Sequence, residues 1–323
     1  MNEVTPDRGD TGRRLDLVLR RHLSDRAASR AALQDAIRCG HVSINGVVVS
    51  RPAVRVAAGD VIHVELPDSA ARQTMIAEDA ALDVLFEDAH LIIVNKPPGL
   101  IVHPSYGHAA GTLMNALLGH ARSWPAGSRP SLVGRLDKNT SGLVLVAKNA
   151  AIHSALQRAT APGRARKEYL AVVFGRVNRQ RGEIALRLAR DPQDRRRVVA
   201  SPFRGAPSVT KFERLARLAA PRPPLSLLRC TLVTGRMHQI RVHLSARGWP
   251  IVGDAKYAHS RLPPIDDADV AARLTAFSRQ ALHAWRIMLE HPVTGQRLTV
   301  EAPIPADMRD LLAAVGLERG LPD

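Results

Sequence analysis

Gly134-Arg135-Leu136-Asp137-Lys138-Asn139-Thr140-Ser141-Gly142-Leu143 runs without a break into Val144-Leu145-Val146-Ala147. A polar turn rich in Asp, Asn, Thr, Ser and Gly feeds an apolar run of strand length, the pattern of a loop entering a buried strand. A carboxylate held at such an entry is well placed to be a fixed reactive group. On spacing alone, however, Asp137 reads first as a turn-former with Asn139 and Thr140, because short polar side chains bond back to their own backbone.

Working outward, apolar strand-like runs dominate from Leu82 onward, at Leu82–Phe86, Leu91–Val94, Tyr169–Phe174, Leu225–Val233 and Leu298–Ala302. Helical spacing is rarer and lies between them, at Thr112–Leu118 and Ala150–Ala159. Strands with interspersed helices predict an α+β domain on a mixed, largely antiparallel sheet over 82–323. No internal repeat or low-complexity tract interrupts it.

The N-terminal side has a different texture. Residues 1–12 carry Gly, Pro, Asp and Thr without periodicity and read as a disordered leader. Leu15, Val18 and Leu19 then fall at helical spacing, as do Leu33, Ala36 and Ile37, with Ser29 as N-cap and Gly40 just past the end. Val42-Ser43-Ile44 and Val47-Val48-Val49 flank Asn45-Gly46, the strongest two-residue hairpin signal, and Asp60–Glu65 alternates like another strand. Residues 67–81 lack periodicity and read as a linker, which puts a small domain over 13–66.

Composition narrows the class. The 323 residues have room for about two domains of ordinary size. Lys plus Arg exceed Asp plus Glu by 46 to 30, a formal charge of +16, which points to a polyanionic partner. Only six of the 46 are lysines, so a general preference for arginine accounts for part of that signal. Cys39 and Cys230 are isolated, which implies neither a disulfide framework nor a zinc site and fits a reducing cytoplasm. The polar, acidic N-terminus is not a signal peptide, and no apolar run approaches the roughly 18 residues of a membrane span.

Arg38-Cys39-Gly40-His41-Val42-Ser43-Ile44-Asn45-Gly46, followed by Ala58-Gly59-Asp60, makes residues 13–66 resemble an S4 domain, a small RNA-binding module. That resemblance implies an RNA-facing second helix and nominates Arg30 and Arg38. Arg135-Leu136-Asp137, with Thr140-Ser141-Gly142-Leu143, resembles the signature of the RluA/RluC/RluD group of RNA pseudouridine synthases. Arg166-Lys167-Glu168-Tyr169-Leu170-Ala171 resembles its second motif, and Thr234-Gly235-Arg236-Met237-His238-Gln239-Ile240-Arg241-Val242-His243-Leu244 its third. Lys96–Pro104, Arg279–Ala284 and Ala302–Pro305 also read as family sequence, so the likeness spans residues 82–308.

The resemblance turns Asp137 from turn-former into catalytic carboxylate, nucleophile or base. It assigns Arg241 the salt bridge that holds Asp137 ionised, and sets Tyr169 against the target base. It gives Arg135 a part in displacing the target nucleotide from its stack, where a flat guanidinium can fill the vacated place. One departure stands out: Gly134 occupies the position where most of this group has His. The basic run Arg195-Arg196-Arg197, near Arg187 and Arg190, reads either as a solvated loop or as a phosphate contact beside the cleft.

The implied reaction, uridine to pseudouridine, involves neither redox change nor hydrolysis, so no metal or organic cofactor is expected. His238 and His243 lack the Glu of a zinc-binding helix, and no Gly-x-Ser-x-Gly or Cys/His arrangement supports a hydrolase. The expected partner is structured RNA, with 23S rRNA favoured and tRNA the alternative. A monomer without membrane contact is expected. A non-catalytic S4-type RNA-binding or ribosome-assembly factor is the reading from another class.

Overall fold

The computed structural model describes residues 2–23, 30–65, 75–104, 109–194, 197–218, 223–258 and 265–322, the side chains of residues 30–32 excepted. Chain contacts divide it into two compact units, Met1–Thr74 and Met75–Asp323.

In the first unit, α1 (Leu15–His22) and α2 (Arg30–Arg38) pack on a four-stranded sheet of β1 (Asn2–Val4), β2 (Val42–Ile44), β3 (Val47–Val48) and β4 (Ile62–Val64), in the order β1-β4-β2-β3. Leu15, Val18, Leu19, Leu33, Ile37, Ile62 and Val64 form its core, each worth roughly 1.5–3 kcal/mol of gross burial. The Asn45-Gly46 signal holds: both residues have positive φ, 50° and 81°, as the twist of a two-residue hairpin demands, and Ile44 pairs with Val47. Ser29, expected as a cap, lies outside the described residues.

The expectation of a disordered leader is overturned. Asn2–Val4 pairs antiparallel with Ile62–Val64, Val4 is buried, and a 3-10 turn at Arg8–Asp10 buries the Asp10 carboxylate. A three-residue edge strand and a single turn are too short to leave any periodicity in sequence. What orders them is contact with the rest of the sheet.

The second unit is built on an eleven-stranded sheet. Its strands are β5 (Val84–Glu87), β6 (Leu91–Lys96), β7 (Ser131–Leu132), β8 (Ser141–Ala147), β9 (Arg166–Phe174), β10 (Arg181–Arg190), β11 (Val198–Ser201), β12 (Ala206–Leu218), β13 (Leu225–Leu232), β14 (Leu282–Glu290) and β15 (Arg297–Glu301). The order is β11-β10-β12-β13-β9-β14-β8-β6-β5, with β15 on β14 and β7 on β8; among the described residues only β14 and β8 run parallel. The helices are α3 (Leu113–His120), α4 (Ala150–Ala159), α5 (Gln239–Ala246), α6 (Ala268–Ala276) and α7 (Ala306–Ala314). The α+β class therefore holds, as does the strand reading of the run after Asp137. Arg187 and Arg190, near the basic run, lie on β10, where Ile184, Leu186 and Leu188 point inward by simple alternation.

The expected linker over 67–81 is only partly one. Residues 66–74 lie outside the described set, but the Ile76 and Ala77 carbonyls accept from Asn115 Nδ2 and Arg122. Glu78 accepts from the Gly111 amide and donates its own amide to the Asn115 carbonyl. This segment is strapped onto α3, whose N-terminus is closed by a reciprocal Thr112–Asn115 capping box.

Candidate active site

Three elements carry the principal groups: the loop between β7 and β8 (Asp137), strand β9 (Tyr169) and helix α5 (Arg241). All three side chains line one cleft of about 560 Å³, together with His103, Gly134, Arg135, Lys167, Arg236 and His238.

The loop is held from behind. The Thr140 amide closes a turn onto the Asp137 carbonyl at 3.0 Å. Lys96 at the end of β6 is wholly buried, and its ammonium donates to the carbonyls of Pro97 (2.8 Å), Leu100 (3.1 Å) and Lys138 (2.9 Å). Burial and the nearby Arg279 push this amine down to about 7, against the pull of Asp137. Arg279, clamped by Asp307, reaches the Asn139 carbonyl, and Gln280 donates to Thr140 Oγ1. Where the loop enters β8, Gly142 has a φ of 105°, and a Cβ there would lie 2.2 Å from the Ala284 carbonyl oxygen. Only glycine permits the close approach of β8 to β14.

Asp137 keeps 22% of its side chain exposed. Its Oδ2 accepts from Arg241 Nη1 at 2.7 Å, while Oδ1 faces His238 Nε2 across 3.8 Å, beyond hydrogen-bond reach. One oxygen is anchored and the other is left toward the cleft. Arg241 is itself fixed on its far side: Nε and Nη2 form a fork onto the fully buried Asp254, at 2.7 and 2.8 Å. Burial works to lower the guanidinium pKa, but the bonds and charge of Asp254, then Asp137, outweigh it and raise it. Asp254 also accepts from the amides of Lys256 and Tyr257, so it is rigid before it meets Arg241.

His238 takes the left-handed conformation, φ 55°, immediately before α5. For a non-glycine residue this is a strained setting that needs outside support. Tyr257 supplies it, its hydroxyl 2.7 Å from His238 Nδ1. That oxygen also accepts from the Val198 amide (3.0 Å), so Tyr257 joins the imidazole to the backbone of β11. Burial lowers the His238 pKa, Asp137 opposing and Arg241 assisting, so the ring is neutral at physiological pH. Burial first and the Asp137 charge second raise the Tyr169 pKa, which keeps it an uncharged phenol.

Asp137, Tyr169, Arg241 and Arg135 thus line one cleft. Arg197 stacks its guanidinium 5.7 Å over the Tyr257 ring, which ties it to the same network; Arg195 and Arg196 lie outside the described residues. Arg38 pairs with Asp35 on the exposed face of α2, and the Arg30 side chain lies outside the described set. Lys96, Asp254, Tyr257 and the positioning of His238 were not read from sequence. Gly253-Asp254 sits in an irregular segment and Lys96 is the last residue of β6, and no local pattern marks the partner of either.

No helix among the described residues is long and apolar enough to cross a membrane. Residues 90–246 match the family model described as RNA pseudouridylate synthase, and residues 13–62 match the S4 domain. The chain is 39% identical to a ribosomal large subunit pseudouridine synthase D of Neisseria meningitidis serogroup A, over 96% of this chain and 80% of that protein. It is 37% identical to the protein of the same name from Vibrio vulnificus, over 97% and 94%, and 35% identical to the uncharacterized RNA pseudouridine synthase YlyB of Bacillus subtilis, over 96% of each. In fold it is similar to human RNA pseudouridylate synthase domain containing 4, with a TM-score of 0.57 at 22% identity, covering 73% of this chain and 92% of that one.

Proposed function

The chain belongs to the RNA pseudouridylate synthase family, and from that premise we propose that it isomerises uridine to pseudouridine in ribosomal large-subunit RNA, with Asp137 as the attacking carboxylate. The reaction breaks C1′–N1, turns the uracil over and forms C1′–C5. The hydrogen lost from C5 is matched by one gained at N1, so the balance needs no co-reactant.

The observation that carries the assignment is the asymmetry at Asp137. Arg241 orients one oxygen, and the other makes no hydrogen bond to any described residue, on a carboxylate lining a cleft of about 560 Å³ that an everted nucleotide can enter. Attack at C1′ of the ribose or at C6 of the base uses the same free oxygen. Neutral Tyr169 supplies a flat face for the uracil, and Arg135, exposed at the mouth of the cleft, is placed to enter the vacated stack. The S4 unit, through Arg30 and Arg38, and the arginines at 195–197 add affinity by phosphate contact. Work in the cytoplasm as a monomer completes the reading.

Tritium release from RNA carrying 5-tritiated uridine tests it. Wild-type protein is expected to release label from unmodified large-subunit rRNA, and Asp137→Asn is expected to release none. Release from tRNA but not from rRNA would overturn the substrate, and release by Asp137→Asn would overturn the nucleophile.

A further inference from the structure

Lys167 lies two residues before Tyr169 on β9, so both side chains leave the same face of the strand and line the same cleft as Asp137. Its ammonium has no hydrogen bond or ion pair to any described residue. Burial alone pushes its pKa down, the mark of a cation short of compensation. The neighbouring carboxylate on the strand, Glu168, turns to the opposite side, where Arg166, Arg229 and Arg286 surround it. Asp137 is taken by Arg241. Among the described residues, then, none supplies this amine with an anion.

Space stands in front of it. Gly134 has a φ of 98°, and the heavy atom nearest to a Cβ built there is Lys167 Nζ itself, at 3.9 Å. A side chain at 134 would cover the ammonium, whereas glycine leaves it open to whatever enters. Cations outnumber anions in the lining: Arg135, Lys167 and Arg236 face the cleft without a carboxylate partner among the described residues, of which only Asp137 brings a carboxylate to that lining. Arg135 and Arg236 are exposed and can meet phosphates from outside, but Lys167 is recessed. An anion that enters the cleft meets it, and an everted nucleotide brings one.

We propose that Lys167, uncovered by Gly134, binds a phosphate flanking the everted uridine and so fixes the sugar, and with it C1′ and C6, relative to Asp137. This rests on the reading of the chain as an RNA uridine isomerase. A buried ammonium left alone is costly, and closing it onto a phosphate on binding converts that cost into selectivity for a fully inserted nucleotide. Lys167 is on this view a substrate-binding and positioning residue rather than a nucleophile or base.

The test uses the full chain and a large-subunit rRNA fragment containing a uridine that wild-type protein isomerises. Lys167→Met is expected to weaken binding roughly tenfold, as loss of a charge-assisted hydrogen bond does. It should also flatten log affinity against log salt by about 0.7–0.9, one phosphate contact. Lys167→Arg should keep the salt slope. Replacing the phosphates beside the target uridine one at a time with neutral methylphosphonates should weaken wild-type binding by a similar factor at one of them and leave Lys167→Met indifferent to that change. Unchanged affinity and slope in Lys167→Met, or additive effects of the residue and backbone changes, would overturn the proposal. An unchanged thermal midpoint for Lys167→Met separates lost contact from lost fold; if it falls, the methylphosphonate series on wild type and Lys167→Arg decides, loss of affinity in both at the same phosphate supporting and indifference of both overturning. Wild-type protein that isomerises no uridine in the rRNA would instead bring down the functional reading itself.

Discussion

Asp10 in the N-terminal unit and Asp137 in the catalytic unit are both carboxylates bound to arginine, yet they are opposite objects. Asp10 is fully covered: Arg21 Nη1 meets Oδ1 at 2.9 Å, His22 Nε2 meets Oδ2 at 2.7 Å and the Asp7 amide adds a third contact. Burial pushes its pKa up, but the bonds from His22 and Arg21 outweigh it and leave it lowered. Asp7, Asp10 and His22 lie close enough together to suggest metal ligands, but Arg21 already bridges the two carboxylates. Asp137 has one bonded oxygen and one toward a cleft. A saturated carboxylate ties chain together, and an unsaturated one held rigidly by its other oxygen is available for chemistry.

The largest expected effect follows directly. Asp137→Asn should lower the single-turnover rate by at least about a thousandfold with RNA affinity within a few-fold. Asp10→Asn should leave that rate within about twofold and lower the melting temperature instead. Comparable rates for the two variants would erase the distinction.

Arg241→Lys keeps the charge but cannot span Asp137 and Asp254 at once, because an ammonium is a point donor and not a fork. A rate loss of about a hundredfold is expected, with little change in RNA affinity. Asp254→Asn touches neither RNA nor Asp137, and should cost about 10-fold in rate and about 3–5 kcal/mol in stability, since it removes one side of a buried pair. A normal rate in Asp254→Asn would mean that Arg241 needs no second anchor.

Acid should separate the units more gently. His243 and His283 are fully buried, and burial first, with Arg247 and Arg279 assisting respectively, pushes them down to about 4 from an ordinary 6.5; at His283 the Ala302 carbonyl opposes. The unfolded chain takes up a proton near 6.5 that each folded ring refuses until about 4. Stability is therefore full above that range and is lost as pH falls through it, by about 2 kcal/mol per ring at about pH 5. Asp10, lowered from 3.8, gives way only below that value. Denaturant titrations of the catalytic unit at about pH 7.5 and pH 5 check this, equal stabilities contradicting it.

Truncation should barely touch the chemistry. A chain starting at Met75 should raise KM while holding the saturating single-turnover rate within about threefold. A chain starting at Leu82 also loses the strap of residues 76–79 from α3 and should melt lower. Identical melting of the two would show the strap to be idle.

The sequence by itself determined the two-part organisation, the α+β class, the Asn45-Gly46 hairpin and the helices around Leu113 and Ala150, and its motifs nominated Asp137, Tyr169, Arg241 and Arg135. Those features are written locally, in periodicity, turn chemistry and contiguous motifs. Only the tertiary structure decided the rest. Asn2–Val4 becomes a strand because β4 offers it an edge, and Lys96 holds the Lys138 carbonyl across 42 positions. Asp254 braces Arg241 and, through it, a carboxylate 104 residues from that arginine in the chain. Gly134, visible in sequence as an omission, gains a meaning from the ammonium of Lys167 that its missing side chain leaves uncovered. Such contacts depend on which backbone segments the sheet brings side by side, and no local pattern records that, because each partner's own neighbourhood is satisfied without the other.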